Sequence, residues 1–374
     1  MRRAFHPICT AVLSTVSGLF LATQACAGTL SIVDIDAQNA ISSSGVITYA
    51  YALNDAGQVV GFRNEKLGSS ILKRAFLTGA DGQSIQSIGA LGAIAYGVNS
   101  FGQVVGAYGG TSPYAFVTGA NGASPQNLFS PNLPSVAVGI NDAGQVAGYY
   151  KTSVNSTNLN AFVVRSSGSV TNLDSTPNVI VSDSAATAIN QSGVVVGNDS
   201  SGLKPRSNIA RPTDSLMAPL GIADRTGARD NVLAINDVGI VAGWYGLSHR
   251  AYVYNTVTDS FSSLGTLAGE SEAFGINNQG VVVGRSQASN GLWHAFVWGL
   301  GGSTMIDLNI LVDLPTGVYL EDARDINNVG QIVANGSDGR AYLISSVPEP
   351  ASAYLALIGL VFVSMVIRKQ RITR

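Results

Sequence analysis

The stretch Ala234-Ile235-Asn236-Asp237-Val238-Gly239-Ile240-Val241-Ala242-Gly243 contains two apolar segments separated by four turn-forming residues. It predicts two β-strands joined by a tight turn, because short apolar runs bounded by Asn, Asp and Gly are typical of buried strands. Successive copies of this phrase are 45, 42, 49, 46, 41 and 50 residues apart, a period that indicates a repeat architecture. The seven copies are keyed on Asn54, Asn99, Asn141, Asn190, Asn236, Asn277 and Asn327.

The turn in each copy follows the pattern Asn-x-x-Gly. Asparagine at its first position can bond back to the following backbone, and glycine at its fourth position tolerates a positive φ. Asp55, Asp142 and Asp237 follow the asparagine in three copies and would suit a calcium site. The other copies have Ser, Gln or Asn there, so the position needs a turn-former and not a charge. The seven glycines are Gly57, Gly102, Gly144, Gly193, Gly239, Gly280 and Gly330.

The strand before each asparagine has Ala or Gly four and two positions upstream, except for Val232 and Asp325, and a bulky aliphatic residue one position upstream. A strand that is small on one face can approach its neighbour closely, which fits the innermost strand of a radial array. An open stack of the same units would need protective caps, and no caps are evident in the sequence. The seventh repeat ends after its third strand, 340–344, and residues 30–36 can supply the fourth. We therefore predict an all-β, seven-bladed β-propeller of four-stranded antiparallel blades, closed by the N-terminal strand.

The N-terminal end has the layout of a secretory signal peptide. Arg2 and Arg3 precede an apolar run, and Ala25 and Ala27 precede Gly28, so residues 1–27 are predicted to be removed after Ala27. The paired arginines also touch the twin-arginine pattern, although an ordinary positively charged start accounts for them. Both cysteines lie in this segment, so the mature chain would contain no thiols and no disulfides.

The C-terminal end carries three successive features: Val347-Pro348-Glu349-Pro350, an uncharged apolar run over 351–367, and a basic tail. The run is at the short end for a membrane-spanning helix, and the tail should remain on the cytoplasmic side. The basic residues of the tail include Arg368, Lys369 and Arg371. A plain membrane anchor would give a similar pattern.

All three features, in this order, resemble the PEP-CTERM sorting signal of Gram-negative bacteria. The resemblance covers residues 347–374 and implies recognition by an exosortase, a membrane protease-transferase, after passage through the export translocase. It further implies processing near Pro348-Glu349-Pro350. The protein is then expected to be anchored transiently in the inner membrane and finally displayed on the cell surface or released.

The intervening residues 28–346 are predicted to form the propeller. Trp293-His294-Ala295-Phe296-Val297-Trp298 and Leu264-Gly265-Thr266-Leu267-Ala268-Gly269 resemble the HAF-type extracellular repeat, a family that implies no known activity. The fourth repeat departs from it, because residues 204–209 contain no comparable triplet. The third strand of that blade is expected to be irregular.

Few residues of this chain suggest catalysis. His249 and His294 occupy the same repeat position and are predicted to be polar strand residues. No cofactor or metal site is expected, and nucleic acid is an unsuitable partner because the acidic residues outnumber the basic ones once the two ends are set aside. Four carboxylates preceding the first strands of blades six and seven are candidate ligand-binding residues. They are Glu270, Glu272, Glu321 and Asp322.

Two functions are compatible with these features. The first is a non-catalytic binding or structural module of the cell surface or biofilm matrix, a role that the sorting resemblance associates with extracellular polysaccharide. The alternative is a secreted carbohydrate-active hydrolase that uses the acidic loops of blades six and seven, since glycosidases employ two carboxylates. The hydrolase interpretation requires Glu272 and Asp322 to converge in a pocket.

Overall fold

The structure is a computed structural model. It describes residues 10–12, 23–25, 30–37, 47–110, 112–129, 133–165, 168–174, 183–200, 205–300 and 302–346. The chain divides into two compact units, of which Ile32–Ile344 is the larger. The smaller unit combines both ends of the chain, and its described part contains an antiparallel pair formed by Thr10–Val12 and Thr23–Ala25.

The larger unit consists of seven four-stranded antiparallel sheets, which confirms the predicted all-β propeller with seven such blades. The first, innermost strands are Thr48–Leu53, Ile94–Val98, Ser135–Ile140, Ser184–Ile189, Asp230–Ile235, Ser271–Ile276 and Leu320–Ile326. The second strands are Val59–Leu67, Val104–Tyr108, Val146–Tyr150, Val195–Asp199, Ile240–Tyr245, Val282–Gln287 and Ile332–Gly336.

The outer half of each blade contains the HAF-like residues. The third strands are Ser70–Leu77, Tyr114–Val117, Asn160–Val164, Arg206–Ala210, Arg250–Asn255, Trp293–Trp298 and Ala341–Ser346. The fourth strands are Gln86–Ile88, Gln126–Asn127, Val170–Asn172, Ala218–Pro219, Ser260–Gly265, Met305–Asp307 and, in the seventh sheet, Leu30–Asp34. Short helical segments are Ile222–Thr226, Ala120–Gly122 and Leu308–Ile310.

The third strand of blade four is regular, so the expectation of an irregular segment is wrong. Arg206–Ala210 pairs along the whole of the second strand, Val195–Asp199. Asn208 pairs with Gly197 of the second strand and is buried. In blades three and six, the equivalent partner of the glycine is Phe162 or Phe296. Cross-strand pairing therefore maintains the strand although the aromatic residue is missing.

Every first strand contains a β-bulge between the positions four and two residues before the turn asparagine. In blade six the register shifts between Ala273 and Gly275, which leaves Phe274 without a cross-strand partner. A bulge bends the strand and redirects the extra side chain. The simple alternation predicted for this strand is therefore interrupted at the position three residues before the asparagine.

A glycine of the second strand accommodates each bulge in blades one to six. A Cβ atom on Gly284 would lie 2.0 Å from the carbonyl oxygen of Glu272 and 2.8 Å from the Phe296 ring. The same close approach, 1.9–2.3 Å to a first-strand carbonyl, occurs at the other five glycines. Blade seven has Ala334 at this position and a second irregularity between Leu320 and Asp322. The five glycines are Gly61, Gly106, Gly148, Gly197 and Gly243.

The small residues two positions before the asparagine lie between neighbouring first strands, as the radial arrangement predicts. A Cβ atom on Gly97 would approach the Val138 carbonyl oxygen to 3.0 Å, and one on Gly139 would lie 3.2 Å from the Ile189 side chain. Neighbouring blades therefore approach closely at a position that is glycine or alanine in six of the seven copies.

Both predicted end signals fall mainly or wholly outside the described residues. Of the signal peptide, 1–27, only residues 10–12 and 23–25 are described, and the sorting signal, 347–374, lies entirely outside, as does the predicted membrane helix at 351–367. Among the residues that the structure describes, no helix has the length and apolar character needed to cross a membrane.

Candidate binding site

The turn asparagines form a ring around one end of the central channel. The Asn54 side-chain amide donates to the Asn99 carbonyl oxygen of the next blade (2.9 Å), and each following asparagine repeats this bond at 2.9–3.2 Å. The seventh bond runs from Asn327 to the Asn54 carbonyl oxygen (3.0 Å). We call this set the asparagine ring. All seven side chains are buried, so the ring is an internal hydrogen-bond network that links every blade to the next.

A second set of interblade bonds involves the residue after each asparagine. The backbone amide of Ser100 donates to Asp142 Oδ1 (2.9 Å), and five further amides donate in the same manner to the next blade. Asp55, Asp142 and Asp237 thus accept hydrogen bonds between blades. This interblade contact explains why the residue after the turn asparagine is polar, without a calcium ion.

The aliphatic residue before each asparagine forms a third layer, which separates the polar end of the channel from a larger cavity. This cavity has a volume of about 460 Å³ and is lined by first-strand residues from all seven blades. Volumes of roughly 300–1,000 Å³ are usual for small-molecule sites. The aliphatic layer is Leu53, Val98, Ile140, Ile189, Ile235, Ile276 and Ile326.

The seven bulged residues all line the larger cavity, and they differ chemically from one blade to the next. Blades three, four and five supply one small or aliphatic side, whereas blades six, seven, one and two supply aromatic and cationic side chains. Tyr149, from the second strand of blade three, adds a further aromatic ring. The bulged residues are Tyr51, Tyr96, Val138, Thr187, Leu233, Phe274 and Arg324.

Arg324 lies at the centre of the aromatic side. Its guanidinium group stands 4.3 Å from the centre of the Phe274 ring, 5.5 Å from that of Tyr51 and 5.8 Å from that of Tyr49. Such contacts attract the cation to the ring faces without using its N–H donors. Within the described part of the chain, no carboxylate forms an ion pair with Arg324.

Three tyrosines direct polar groups toward the same space. Burial raises the pKa of Tyr51, Tyr96 and Tyr149 above the usual value, so their hydroxyl groups stay protonated. The Tyr51 and Tyr96 rings meet edge to face with their centres 4.9 Å apart. Among the described residues, none of the three hydroxyl groups has a hydrogen-bond partner, whereas the neighbouring Tyr49 hydroxyl donates to Asp322 Oδ2 (2.7 Å).

Asp325 occupies a position that is Gly or Ala in the other six repeats, and it borders both the polar end and the larger cavity. Desolvation raises its pKa to about 7, although the backbone amides of Leu53 and Ile326 donate to its two oxygens and favour the charged form. Nearby Asp55 raises the pKa further, and Arg324 lowers it. The carboxyl group therefore changes charge near neutral pH.

Replacing Asp325 with asparagine should remove a pH dependence of stability. An aspartate whose pKa increases on folding from 3.8 to about 7 stabilises the folded state below pH 4 and loses that contribution as the pH rises to 7. The full increase corresponds to about 4 kcal/mol, and because the side chain is partly exposed we expect about 1–3 kcal/mol. Urea denaturation of the wild type and of Asp325→Asn at pH 5 and pH 8 measures how the free energy of unfolding changes with pH. Asp313→Asn, at an exposed carboxyl group, serves as the control. If the free energy of unfolding depended on pH equally in the wild type and in Asp325→Asn, the raised pKa of Asp325 would be contradicted.

Glu272 is buried and forms a network with blades five and six. His249 Nδ1 lies 2.6 Å from Glu272 Oε1, and Arg285 donates to Glu272 Oε2 from Nε at 2.9 Å. Trp244 stacks on His249 with ring centres 3.7 Å apart, and Arg285 lies 4.3 Å from the centre of Trp293. Both oxygens of Glu272 are thus engaged by protein groups.

The other candidate carboxylates are placed separately. Asp322 is buried, and its two oxygens accept from Tyr49 and from Asn335 Nδ2 (2.8 Å), which in turn bonds to the backbone of Ala50 in blade one. Glu270 is half-buried, and Glu321 is exposed. None of the four lines the larger cavity. His294 lies in the strand Trp293–Trp298, as predicted, and pairs with Asp307 (2.7 Å). His249 instead lies in the turn before the strand Arg250–Asn255, so its prediction as a strand residue is wrong, but it too is held by a carboxylate.

The bulged position is the part of the site that sequence reasoning missed. The prediction for the first strand rests on the residues four, two and one before each asparagine, which are nearly uniform. The residue three positions before the asparagine is more variable: the copies have Tyr, Tyr, Val, Thr, Leu, Phe and Arg. This variation was a signal that the position faces a non-repeating environment.

Solved structures with the same architecture define the class of fold. The chain is similar to YCF48 bound to D1 peptide, with 12% identity, a TM-score of 0.52 and coverage of 85% of this chain and 97% of that one. It is also similar to the β-propeller domain of Cps50 (Swd1) from Myceliophteria thermophila, with 12% identity, a TM-score of 0.52 and coverage of 82% of this chain and 97% of that one. Acylaminoacyl peptidase from Pyrococcus horikoshii is 10% identical, with a TM-score of 0.51. The match covers 77% of this chain and 49% of that one, so the chain spans about half of that protein. No family model and no curated protein matches the sequence. The fold is that of a β-propeller.

Proposed function

We propose that this protein is a non-catalytic binding module exported from a Gram-negative bacterium, whose propeller is closed by its own N-terminal strand and binds extracellular polysaccharide. The observation that supports binding is a group of half-buried aromatic and cationic side chains, called here the aromatic surface. It runs from Trp244 and Arg285 on blades five and six, through Phe274, to Arg324 and Tyr51 at the channel. Aromatic side chains with polar tips are suited to ligands that combine apolar ring faces with hydroxyl groups.

The buried carboxylates support binding rather than hydrolysis. A general acid–base pair needs oxygens within reach of a substrate, whereas both oxygens of Glu272 and of Asp322 are occupied by side chains of the protein. These two residues hold the aromatic surface in position. Export and sorting are supported by the sequence at the two ends of the chain, with its Val347-Pro348-Glu349-Pro350 motif.

The test is to express the full-length gene in a Gram-negative host that contains an exosortase and to recover the protein from the envelope and medium. Mass spectrometry should find an N-terminus at Gly28 and processing near Pro348–Pro350. The recovered protein should retain polysaccharides on a glycan array and leave them intact. Release of shortened saccharides would favour the hydrolase instead, and the absence of any retained glycan would refute polysaccharide binding.

A further inference from the structure

We propose that the larger channel cavity binds an acidic sugar unit of the polysaccharide, with the ligand carboxylate on Arg324 and the sugar ring against the aromatic side. This inference rests on the proposed function and adds the site and the chemical class of the ligand. It is independent of the four carboxylates selected from the sequence, since none of them lines the cavity.

The unpaired charge of Arg324 is the first reason. Arginine side chains that lose solvent are normally paired with an anion. Arg324 is half-buried and contacts the ring faces of Phe274, Tyr51 and Tyr49. Asp325 borders the same cavity and interacts with Arg324 electrostatically, but both oxygens of Asp325 accept hydrogen bonds from the backbone amides of Leu53 and Ile326. Ring contacts leave the planar edge of the guanidinium group free, and that edge matches the two oxygens of a carboxylate. The cavity therefore contains a cation that forms no ion pair with a carboxylate of the described residues.

The tyrosine hydroxyl groups indicate what else the ligand contains. Tyr51, Tyr96 and Tyr149 bring three protonated hydroxyl groups to the cavity, each able to donate and accept. A simple aromatic acid offers its carboxylate alone, whereas a sugar acid also carries several hydroxyl groups. The three hydroxyl groups without a partner among the described residues therefore favour a sugar acid.

The asymmetry of the cavity fixes the orientation of the ligand. Val138, Thr187 and Leu233 on the opposite side are short enough to leave space for a ring that packs against Tyr96 and Tyr51. The aliphatic layer borders the inner end of the cavity. A terminal unit can thus insert while the remaining chain leaves toward the aromatic surface of blades five and six.

The experiment is calorimetric titration of the purified full-length protein with trigalacturonate and with its fully methyl-esterified form. The acid should bind at least about tenfold more tightly than the ester, because a charge-assisted bidentate contact is lost in the ester. Arg324→Gln should remove this preference, and Tyr96→Phe should weaken binding of both compounds about threefold or more. Arg229→Gln, which removes an exposed charge elsewhere, should change neither.

The possible results separate the two proposals. Glycan retention on the array that Arg324→Gln and Tyr96→Phe leave unchanged would overturn the cavity assignment and leave the proposed function standing. Equal affinity for trigalacturonate and its ester would overturn the acidic sugar as the ligand. Tighter binding of benzoate than of trigalacturonate, in a parallel titration, would do the same. Circular dichroism and the melting temperature of each variant establish that the fold is retained.

Discussion

Replacing Asn277 with aspartate should lower the free energy of unfolding by about 3–5 kcal/mol at pH 7. The Asn277 side chain is buried; its Nδ2 donates to the Asn327 carbonyl oxygen (3.2 Å), and its Oδ1 accepts from the Val281 amide (2.9 Å). Aspartate retains the acceptor, but it places a carboxylate oxygen against the carbonyl oxygen of the next blade. Each buried group left without a partner costs about 1–3 kcal/mol, and the repulsion adds to this cost.

The destabilisation of Asn277→Asp should decrease at low pH. Burial next to a carbonyl oxygen raises the pKa of the new carboxyl group above its unfolded value, so folding favours the protonated form. Stability relative to the wild type is then highest below about pH 4 and is lost as the pH rises toward 7. A protonated carboxyl group can also donate to the Asn327 carbonyl oxygen. Guanidinium denaturation of both proteins at pH 4 and pH 7 measures this change.

Asn127→Asp is the matched control for the asparagine ring. Asn127 is exposed on a fourth strand, so the same change of chemistry there should alter stability by less than about 0.5 kcal/mol. If Asn277→Asp were as mild as this control, the interblade bonds of the ring would contribute nothing to stability. Asn141→Asp, at the equivalent position in blade three, should reproduce the large effect.

The sequence predicts the blade count and the strand order because both depend on local chemistry that recurs seven times. Asn-x-x-Gly specifies a turn in any context, and the apolar runs on either side specify strands. The asparagine ring was less accessible, since a turn alone would also accept Asp or Ser at the first position. The structure explains why all seven positions are asparagine, because Nδ2 donates to the next blade while Oδ1 accepts within the turn.

The candidate site could be predicted only in part, because it depends on contacts between strands and between blades. The bulge that turns Phe274 and Arg324 into the channel arises from pairing with the second strand, and no periodicity of the first strand alone encodes it. The sequence prediction selected the acidic positions of blades six and seven, of which Glu272 and Asp322 are engaged within the protein, and it did not include the bulged position.

The second large effect is expected for Gly148→Ala, which should destabilise the protein by about 3–4 kcal/mol. A Cβ atom at this position would lie 2.0 Å from the Val136 carbonyl oxygen and 2.9 Å from the Phe162 ring. Neither contact can relax by a side-chain rotation alone, because the carbonyl belongs to the bulged first strand and the ring is fully buried. The bulge must therefore shift, and its displacement also moves Val138 at the channel.

Chemical denaturation of Gly148→Ala and of Gly302→Ala would test this prediction. Gly302 has 3.9 Å to its nearest atom and needs no left-handed backbone, so its replacement should cost less than about 0.5 kcal/mol. A loss below 1 kcal/mol at position 148 would show that the bulge adapts to a side chain, as it does beside Ala334 in blade seven. The second irregularity of blade seven, between Leu320 and Asp322, would then explain how that first strand makes room for the side chain of Ala334. A large loss instead means that the bulge, and with it the direction of the variable side chains, depends on the six glycines.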